Sequence, residues 1–527
     1  MKPNRNRRSL PTMRKLTLVA SAMGVALAAG TSRADEHLRI VDEPLELTVH
    51  MHWPRSQGYD ESYPVERVAS EVTGISLVDA TAGRNTTESG EAMNLLIAQG
   101  DLPDIVGGHL IQQPVNQYGP EGAFVPLNDL VEEHAPNIKA FFEERPELQQ
   151  AISAHDGNYY YIPYFPDGKY GRAYFIRQDW LDALDLERPE TVDEYYEVLK
   201  AFRDGDPNGN GRKDEIPFFA RDWEEVIRLV TLWDARTSGS DTYHDFYVTD
   251  EGRIEHPYAQ EAYRDGLAKV AQWYEEGLID PEVFTRGSSA RDYLLGENLG
   301  GATHDWFAST SGYNLALADK IEGFDFVPFL PPASASGKRI EEHRRIPVKP
   351  DGWAISYANE HPVETIKYFD FFFSEEGSRL ANFGVEGEHY DMVDGEPVYK
   401  DEILDSDKAV NTQMYEIGAQ MYRGYPQDYR YEWQWTEQAA RDGIELYDQH
   451  DLLLDQFLGV NFDKEEQAVY DRYWPSIRTY MLERQQAWVL GTGDVVEEWD
   501  DYIETLNKMG YDEVVEVLNS AYERQYG

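Results

Sequence analysis

Apolar and polar positions alternate from Leu45 to Trp53: Leu45, Leu47, Val49 and Met51 fall on one side, and Glu46, Thr48, His50 and His52 on the other. That period of two predicts a strand with one buried face. From Glu91 to Gln99 the period lengthens, with Met93, Leu96 and Ile97 on one helical face and a stop at Gly100. Leu102 to Val106 then reads as a short strand. Strand, helix and strand in this order predict an α/β unit with a mainly parallel sheet. Tyr159 to Tyr164 is extended and aromatic and breaks the pattern. A second α/β unit begins at Tyr174-Phe175-Ile176. Thr191-Val192-Asp193-Glu194 has capping-box spacing and opens a helix to about Phe202. Another helix covers roughly Ala259 to Glu276 and is closed by Gly277. Two later runs read as strands, Leu299–Thr303 as a return to the first unit and Gly352–Ser356 as a return to the second. Beyond about residue 361 the chain is mostly helical and crowded with Tyr and Trp.

These elements predict two α/β lobes. The N-lobe is expected over 35–170 with a return segment at about 299–349, and the C-lobe over 171–298, continued by about 350–527. A chain that passes between two such lobes leaves a crevice at the carboxyl ends of their strands. Ahead of the lobes, Met13-Arg14-Lys15 is basic, Leu16 to Gly30 is apolar, and Ser32-Arg33-Ala34 offers a small-residue cleavage site. This predicts a secretory signal over 1–34 and an exported, periplasmic mature protein. The apolar run is shorter than the roughly 20 residues a spanning helix needs.

Charge and composition narrow the function. The 527 residues hold 48 basic and 97 acidic side chains, a formal charge of -49. Seven of the basic groups and no acid lie in the first 34 residues, so the mature chain stands at -56. Attachment to nucleic acid or anionic lipid needs surplus Lys and Arg, and is excluded as the main activity. The absence of cysteine excludes disulfides, thiol catalysis and Cys-ligated metals. So acidic a surface suits a saline medium.

One motif carries metal chemistry. In Asp206-Pro207-Asn208-Gly209-Asn210-Gly211-Arg212-Lys213-Asp214-Glu215, oxygen side chains stand at loop positions 1, 3, 5 and 9, with Gly at 6. This matches a calcium loop, in which hard oxygens converge while Gly permits the sharp turn. Arg212 would offer only its carbonyl. Position 12 is Pro217 where such loops carry a bidentate Glu, and Glu215 is the expected substitute. A solvated Asx-rich turn is the plainer alternative.

Aromatic residues are abundant, with 35 Tyr, 12 Trp and 21 Phe. Tyr425, Tyr429, Tyr431, Trp433 and Trp435 alternate with polar residues, which in an extended segment would put the rings on one side. Rings lining a polar cleft suit the C–H face of a pyranose; ordinary core is the alternative for most of them. His50 and His52 share a strand face, at a metal site or merely at the crevice end of the strand. No nucleophile elbow, His-Glu-x-x-His pair or P-loop is present. Carboxylate pairs are too easily found in this chain to identify a lyase or hydrolase.

Gly100-Asp101-Leu102-Pro103-Asp104 with Glu121-Gly122-Ala123-Phe124-Val125-Pro126-Leu127 resembles the first lobe of the family 1 extracellular solute-binding proteins. His50-Met51-His52, the calcium loop, Gly300–Thr310, Pro350–Ile355 and Ala521–Tyr526 are similar to the branch of periplasmic alginate-binding proteins, receptors for ATP-binding-cassette importers. The resemblance runs over the whole mature chain. It implies a two-lobed, hinge-connected periplasmic binding protein fold of type II, calcium in the second lobe, and monomeric, non-catalytic capture of uronate oligosaccharides. Carried over by motif, the ring-stacking residues are Trp306 and Trp435, with Tyr431 beside the latter. The calcium ligands are Asp206, Asn208, Asn210, Arg212, Asp214 and Glu215. Position and chemistry add Tyr160, Lys169, Arg172, Arg345, Tyr390 and His52 as sugar contacts. Other oligosaccharides, pectic or neutral, and a polysaccharide lyase or hydrolase are the alternatives.

Overall fold

A computed structural model describes residues 37–52, 59–82, 86–237, 245–406 and 408–527; the expected signal segment and Trp53 lie outside them. In chain order the strands are β1 Leu45–His52, β2 Ile75–Asp79, β3 Ile105–Gly108, β4 Tyr161–Phe165, β5 Arg172–Arg177, β6 Ile216–Phe218 and β7 Tyr247–Val248. They continue as β8 Ile254–Glu255, β9 Gly300–Trp306, β10 Phe326–Phe329, β11 Gly352–Ile355, β12 Tyr390–Val393, β13 Glu396–Tyr399 and β14 Tyr425–Pro426.

The first lobe is built on a six-stranded sheet ordered β14-β4-β11-β3-β1-β2. β1 is parallel to β2 and β3, whereas β11 runs antiparallel between β3 and β4. The second lobe is built on a four-stranded sheet ordered β10-β5-β9-β6, antiparallel except for β6 beside β9. Both sheets are therefore mixed.

The two return segments are the reverse of the sequence expectation. β9 completes the second sheet and β11 the first. Glycines make both insertions possible. A Cβ on Gly301 would stand 2.6 Å from Phe202 and 2.9 Å from both the Pro217 carbonyl and Trp180. A Cβ on Gly352 would stand 2.3 Å from the Ile162 carbonyl. Trp353 then lies fully buried in the first core, its ring 4.2 Å from that of Phe369 and nearly parallel to it. The first core accordingly extends through Tyr431, and later residues such as Trp474, Ile477 and Leu506 belong to the second.

Local signals in the second lobe hold. Thr191 and Glu194 form the reciprocal capping box of a helix over Val192–Gly205. The helix Glu261–Glu275 is followed by Gly277 at φ +71. A 26-residue helix, Lys464–Val489, starts from a second capping box between Asp463 and Glu466.

Three segments cross between the lobes: 166–171, 330–351 and 427–437. They are tied to one another by backbone bonds. Lys349 N–H donates to the Tyr164 carbonyl (3.0 Å), Arg345 N–H to that of Lys169 (2.8 Å), and Gly171 N–H to that of His343 (2.9 Å). The third crossing joins through Tyr429 N–H on Asp167 Oδ2 (3.0 Å) and Gln427 N–H on the Phe165 carbonyl (2.8 Å). Two lobes linked by bonded crossings form a crevice whose floor is the crossings themselves.

Candidate functional site: the crevice between the lobes

Trp306 ends β9 directly opposite Arg172, the first residue of β5. The register sets the half-buried indole over the guanidinium, 4.3 Å from ring centroid to Cζ. Arg172 is 5% exposed and bonds Glu225 Oε1 (2.8 Å) and Asp305 Oδ1 (3.4 Å). Arg221 also binds Glu225, and Arg291 Nη1 donates to Asp305 Oδ2 (2.8 Å). Burial by itself would raise the Glu225 pKa. Hydrogen bonding from Arg221 and the charges of Arg172, Arg221 and Arg228 outweigh it and hold the carboxyl at about 2. Under Trp306 there is thus a rigid, guanidinium-rich platform. Its members Arg221, Arg228 and Arg291 gave no sign in the sequence, because they come from separate elements.

The cluster Tyr425 to Trp435 is not extended. Arg430–Trp433 is one helical turn, so its rings divide between the lobes. Tyr425, Tyr431 and Trp435 pack on the first core, and Tyr429 and Trp433 on a second-lobe cluster with Phe307 and Tyr447. Tyr431 is buried, its ring 6.2 Å from that of Trp435, whose buried Nε1 has no hydrogen-bond partner. The divided rings anchor the third crossing to both lobes.

The other expected sugar contacts are placed differently. Tyr160 is buried in the first core, its ring against Gly119 and its hydroxyl donating to Asp156 (2.6 Å). Tyr390 is buried against Phe383 on the hairpin β12–β13. Both are packing residues. The two other expected cations, like Arg172, are engaged with acids: Lys169 with Asp448 (2.9 Å), and Arg345 in a two-point pair with Glu432, its guanidinium 4.8 Å from the Tyr429 ring. His50 is fully buried, accepting from Ala82 N–H, and the His52 side chain lies outside the described residues.

The acidic loop does fit a cation. Asp206 takes φ +51 at the end of its helix, and Gly209 and Gly211 take φ +68 and +76, curling the loop back. Gly211 N–H donates to Asp206 (3.0 Å) and Arg212 N–H to Asn210 Oδ1 (2.7 Å). Glu215 is 6% exposed with both carboxylate oxygens buried and unpartnered; the backbone N–H groups of Asp214 and Glu215 approach without hydrogen-bond geometry. Burial raises its pKa; the approach of its own backbone N–H works against that rise, and the nearby Asp206 and Asp214 charges add to it. A buried, unpaired carboxylate is costly unless a cation meets it. The loop lies at the start of β6, whereas Trp306 lies at the far end of the adjacent β9, so a cation here would serve the fold and not the crevice.

A second ligand-type group, His304, Glu341 and His343, is wholly buried where the second crossing enters the second lobe. Glu341 lies between the imidazoles, 3.0 Å from His304 Nε2 and 3.2 Å from His343 Nδ1. Two ring N–H groups donating to one carboxylate account for this geometry. The outer nitrogens, His304 Nδ1 and His343 Nε2, have no partner, unlike those of metal-bound imidazoles. The group pins the crossing.

A bilobal α/β chain with an aromatic, charged crevice over three crossings defines a solute receptor. The family model for bacterial extracellular solute-binding proteins matches residues 69–379, and the chain belongs to that family. It is 49% identical to the alginate-binding protein AlgQ2, whose crystal structure without calcium ion superposes with a TM-score of 0.79 over 92% of this chain and 99% of that one. The fructooligosaccharide ABC transporter substrate-binding protein FusA of Streptococcus pneumoniae serotype 4 is 25% identical over 464 residues, 82% of each chain. The polygalacturonan/rhamnogalacturonan-binding protein YtcQ of Bacillus subtilis is 24% identical over 360 residues, 63% of this chain and 65% of that one. Among the described residues no helix is long and apolar enough to cross a membrane.

Proposed function

We propose that the protein is a non-catalytic, periplasmic receptor that captures uronate oligosaccharides of the alginate type between its lobes and presents them to an ATP-binding-cassette importer. The observation that carries this reading is the Trp306 platform. An indole held over Arg172, in a cluster of four arginines and two buried carboxylates, offers a flat apolar face within a positive local field. That pairing suits a sugar ring bearing a carboxylate. The 49% identity to AlgQ2 supports the same ligand class. Closure about the three crossings would bring Trp435 and Tyr431, on the first-lobe side, toward the same sugar chain, the ligand selecting the closed state.

Calcium is the cation we assign to the loop, held by Asp206, Asn208, Asn210, the Arg212 carbonyl, Asp214 and Glu215. When bound it supplies the positive charge that Glu215 lacks and fixes the start of β6.

Incubation with mannuronate and guluronate oligomers, followed by thermal melting and mass spectrometry, tests the reading. A receptor melts at higher temperature with ligand, which binds only the folded state, and returns the oligomer intact. Shortened or unsaturated products would establish an enzyme. Stabilisation by neutral oligomers alone would move the ligand class toward that named for FusA.

A further inference from the structure

We propose that Asn461 and Gln525 of the second lobe clasp the end of the first-lobe helix Pro146–Ile152, and that this clasp releases when the crevice closes. The two residues then set ligand affinity without touching ligand. The inference rests on the receptor reading above and concerns the balance between its two arrangements.

A short helix cannot satisfy its last carbonyls from within. At the end of Pro146–Ile152 the other lobe supplies the donors. Asn461 Nδ2 donates to the carbonyls of Ala151 (3.1 Å) and Ser153 (2.7 Å). Gln525 Nε2 donates to those of Gln150 (2.9 Å) and Ala151 (3.4 Å), and Gln150 Nε2 returns a bond to the Gln525 carbonyl. Asn116 Nδ2 adds a bond to Asn461 Oδ1 (2.8 Å). The accepting side is fixed, since Val115, Leu148, Ala151 and Ile152 are buried in the first core. The donating side is fixed as well. Asn461 N–H donates to Gln525 Oε1 (2.8 Å), and Arg524 donates to the Asn461 carbonyl (2.9 Å) while pairing with Glu466. The helix Tyr511–Tyr526 carries Val514 and Leu518 into the second core. These bonds join the lobes at a place where the chain does not cross between them.

The chemistry of the clasp suits a contact that opens and re-forms. Its bonds join neutral amides and carbonyls, and such groups exchange a protein partner for water at small net cost. One acceptor is left over: Asn116 is 7% exposed and its Oδ1 is buried without a partner, so the clasped arrangement is incompletely satisfied. The other bond between the lobes at this edge, Lys464 to Glu121, joins exposed groups and contributes little.

Position couples the clasp to the crevice. Asn116 and Asn461 line a cavity of about 930 Å³ between the lobes, and Pro350 of the second crossing lines the same cavity. The clasp is thus formed while the lobes stand apart over that space. Rotation about the crossings moves one core against the other, and hydrogen bonds tolerate only a few tenths of an ångström beyond their best length. The bonds are therefore made in one arrangement and lost in the other. A contact that favours the open arrangement lowers the fraction competent to close on ligand, and weakens apparent affinity by the same factor.

Calorimetric titration of Asn461→Asp and Gln525→Ala with a mannuronate tetrasaccharide tests the clasp. Asn461→Asp keeps the acceptor for Asn116 but turns a carboxylate oxygen toward the Ala151 and Ser153 carbonyls, to which it cannot donate. Each variant should bind the uronate more tightly than the wild type, by roughly threefold to thirtyfold, the range for a few neutral hydrogen bonds. A role confined to folding would not raise affinity. Lobe positions are read separately. The chain has no cysteine, so nitroxides on cysteines placed at the exposed Glu144 and Asp500 label one point in each lobe. In ligand-free protein, Asn461→Asp should shift their distance toward that of the uronate-saturated wild type. Melting of the ligand-free variants shows which of them fold, and Gln525→Ala, two residues from the chain end, guards against a misfolded Asn461→Asp. Unchanged or weaker affinity in a folded variant would overturn the clasp and leave the receptor reading standing. A wild type that binds no uronate oligomer would overturn the receptor reading; the clasp would then stand or fall on whether Asn461→Asp changes the ligand-free distance.

Discussion

At the scale of single residues, Trp306 and the buried histidines give the sharpest expectations. Trp306 is half-buried before any ligand arrives, so Trp306→Ala removes more from binding than from folding. Burial of one large ring is worth about 1.5–3 kcal/mol, or roughly ten- to a hundredfold in affinity. Titration with uronate oligomers should show that loss with little change in melting temperature. Trp435 differs, because it also packs on the first core; its removal should lower both. The histidines set a pH dependence. Burial, helped by the Arg478 charge, pushes His256 down to about 3, and burial likewise lowers His343. The unfolded chain protonates these groups near pH 6.5 and the folded chain does not. Their stabilisation is therefore complete above pH 6.5 and is lost as the pH falls toward 3, by up to about 1.4 kcal/mol per pH unit for each group. Burial raises Glu342 to about 7, which acts with the opposite sign between pH 7 and 4.5. The clean measurement is thus a difference: urea unfolding of His256→Gln between pH 6 and 4 should show a flatter slope than the wild type.

At the scale of elements, the acidic loop and β9 form one unit. Asn208 Nδ2 donates to the Asn298 carbonyl (3.1 Å), and Ile216 N–H to that of Leu299 (2.8 Å), so the loop is bonded to the residues that open β9. A cation meeting Glu215 removes the cost of a buried carboxylate and tightens this corner of the second sheet. Chelation should therefore lower the melting temperature of calcium-loaded protein, and Asp206→Ala should abolish the chelator's effect. Sugar affinity should change little at saturating protein stability, because the loop and Trp306 lie at opposite ends of β9. An unchanged melting curve in chelator would show that the loop is an ordinary turn.

At the scale of the whole molecule, a chain of formal charge -49 meets, in the proposed function, a ligand that is itself a polyanion. The fold divides the two problems by distance. Surface carboxylates act at long range and are screened: the Debye length is about 10 Å at 0.1 M salt and near 3 Å at 1 M. In the proposed site the arginines under Trp306 would act at contact range on a desolvated ligand, where salt matters less. Association with alginate oligomers should consequently speed up as salt rises from low values, opposite to a basic receptor. Stopped-flow fluorescence at several salt concentrations checks this. A rate that falls steadily with salt would mean that the guanidinium cluster dominates the field at the crevice mouth.

The chain's local chemistry was enough to determine that it folds as two α/β lobes and that a capping box at Thr191 and Glu194 opens a helix, and it singled out residues 206–215 as a candidate cation loop. Each of these depends on neighbours within about a dozen residues: alternation, Asx and Gly spacing, a Thr–Glu box. Only the tertiary structure decided which lobe receives β9 and which receives β11. Both are short apolar runs with glycines, and their partners are more than a hundred residues away for most of the ladder, so no local pattern separates them. The same holds for the site. Trp306 could be picked out as a residue, but the arginines beneath it come from a strand, a loop and two helices. Tyr160 and Tyr390 had the composition of cleft rings and became core, because packing against Gly119 and Phe383 is a property of three-dimensional neighbours. Charge pairing was equally hidden: that Lys169, Arg172 and Arg345 each face a carboxylate follows from where the crossings place side chains and not from their order along the chain.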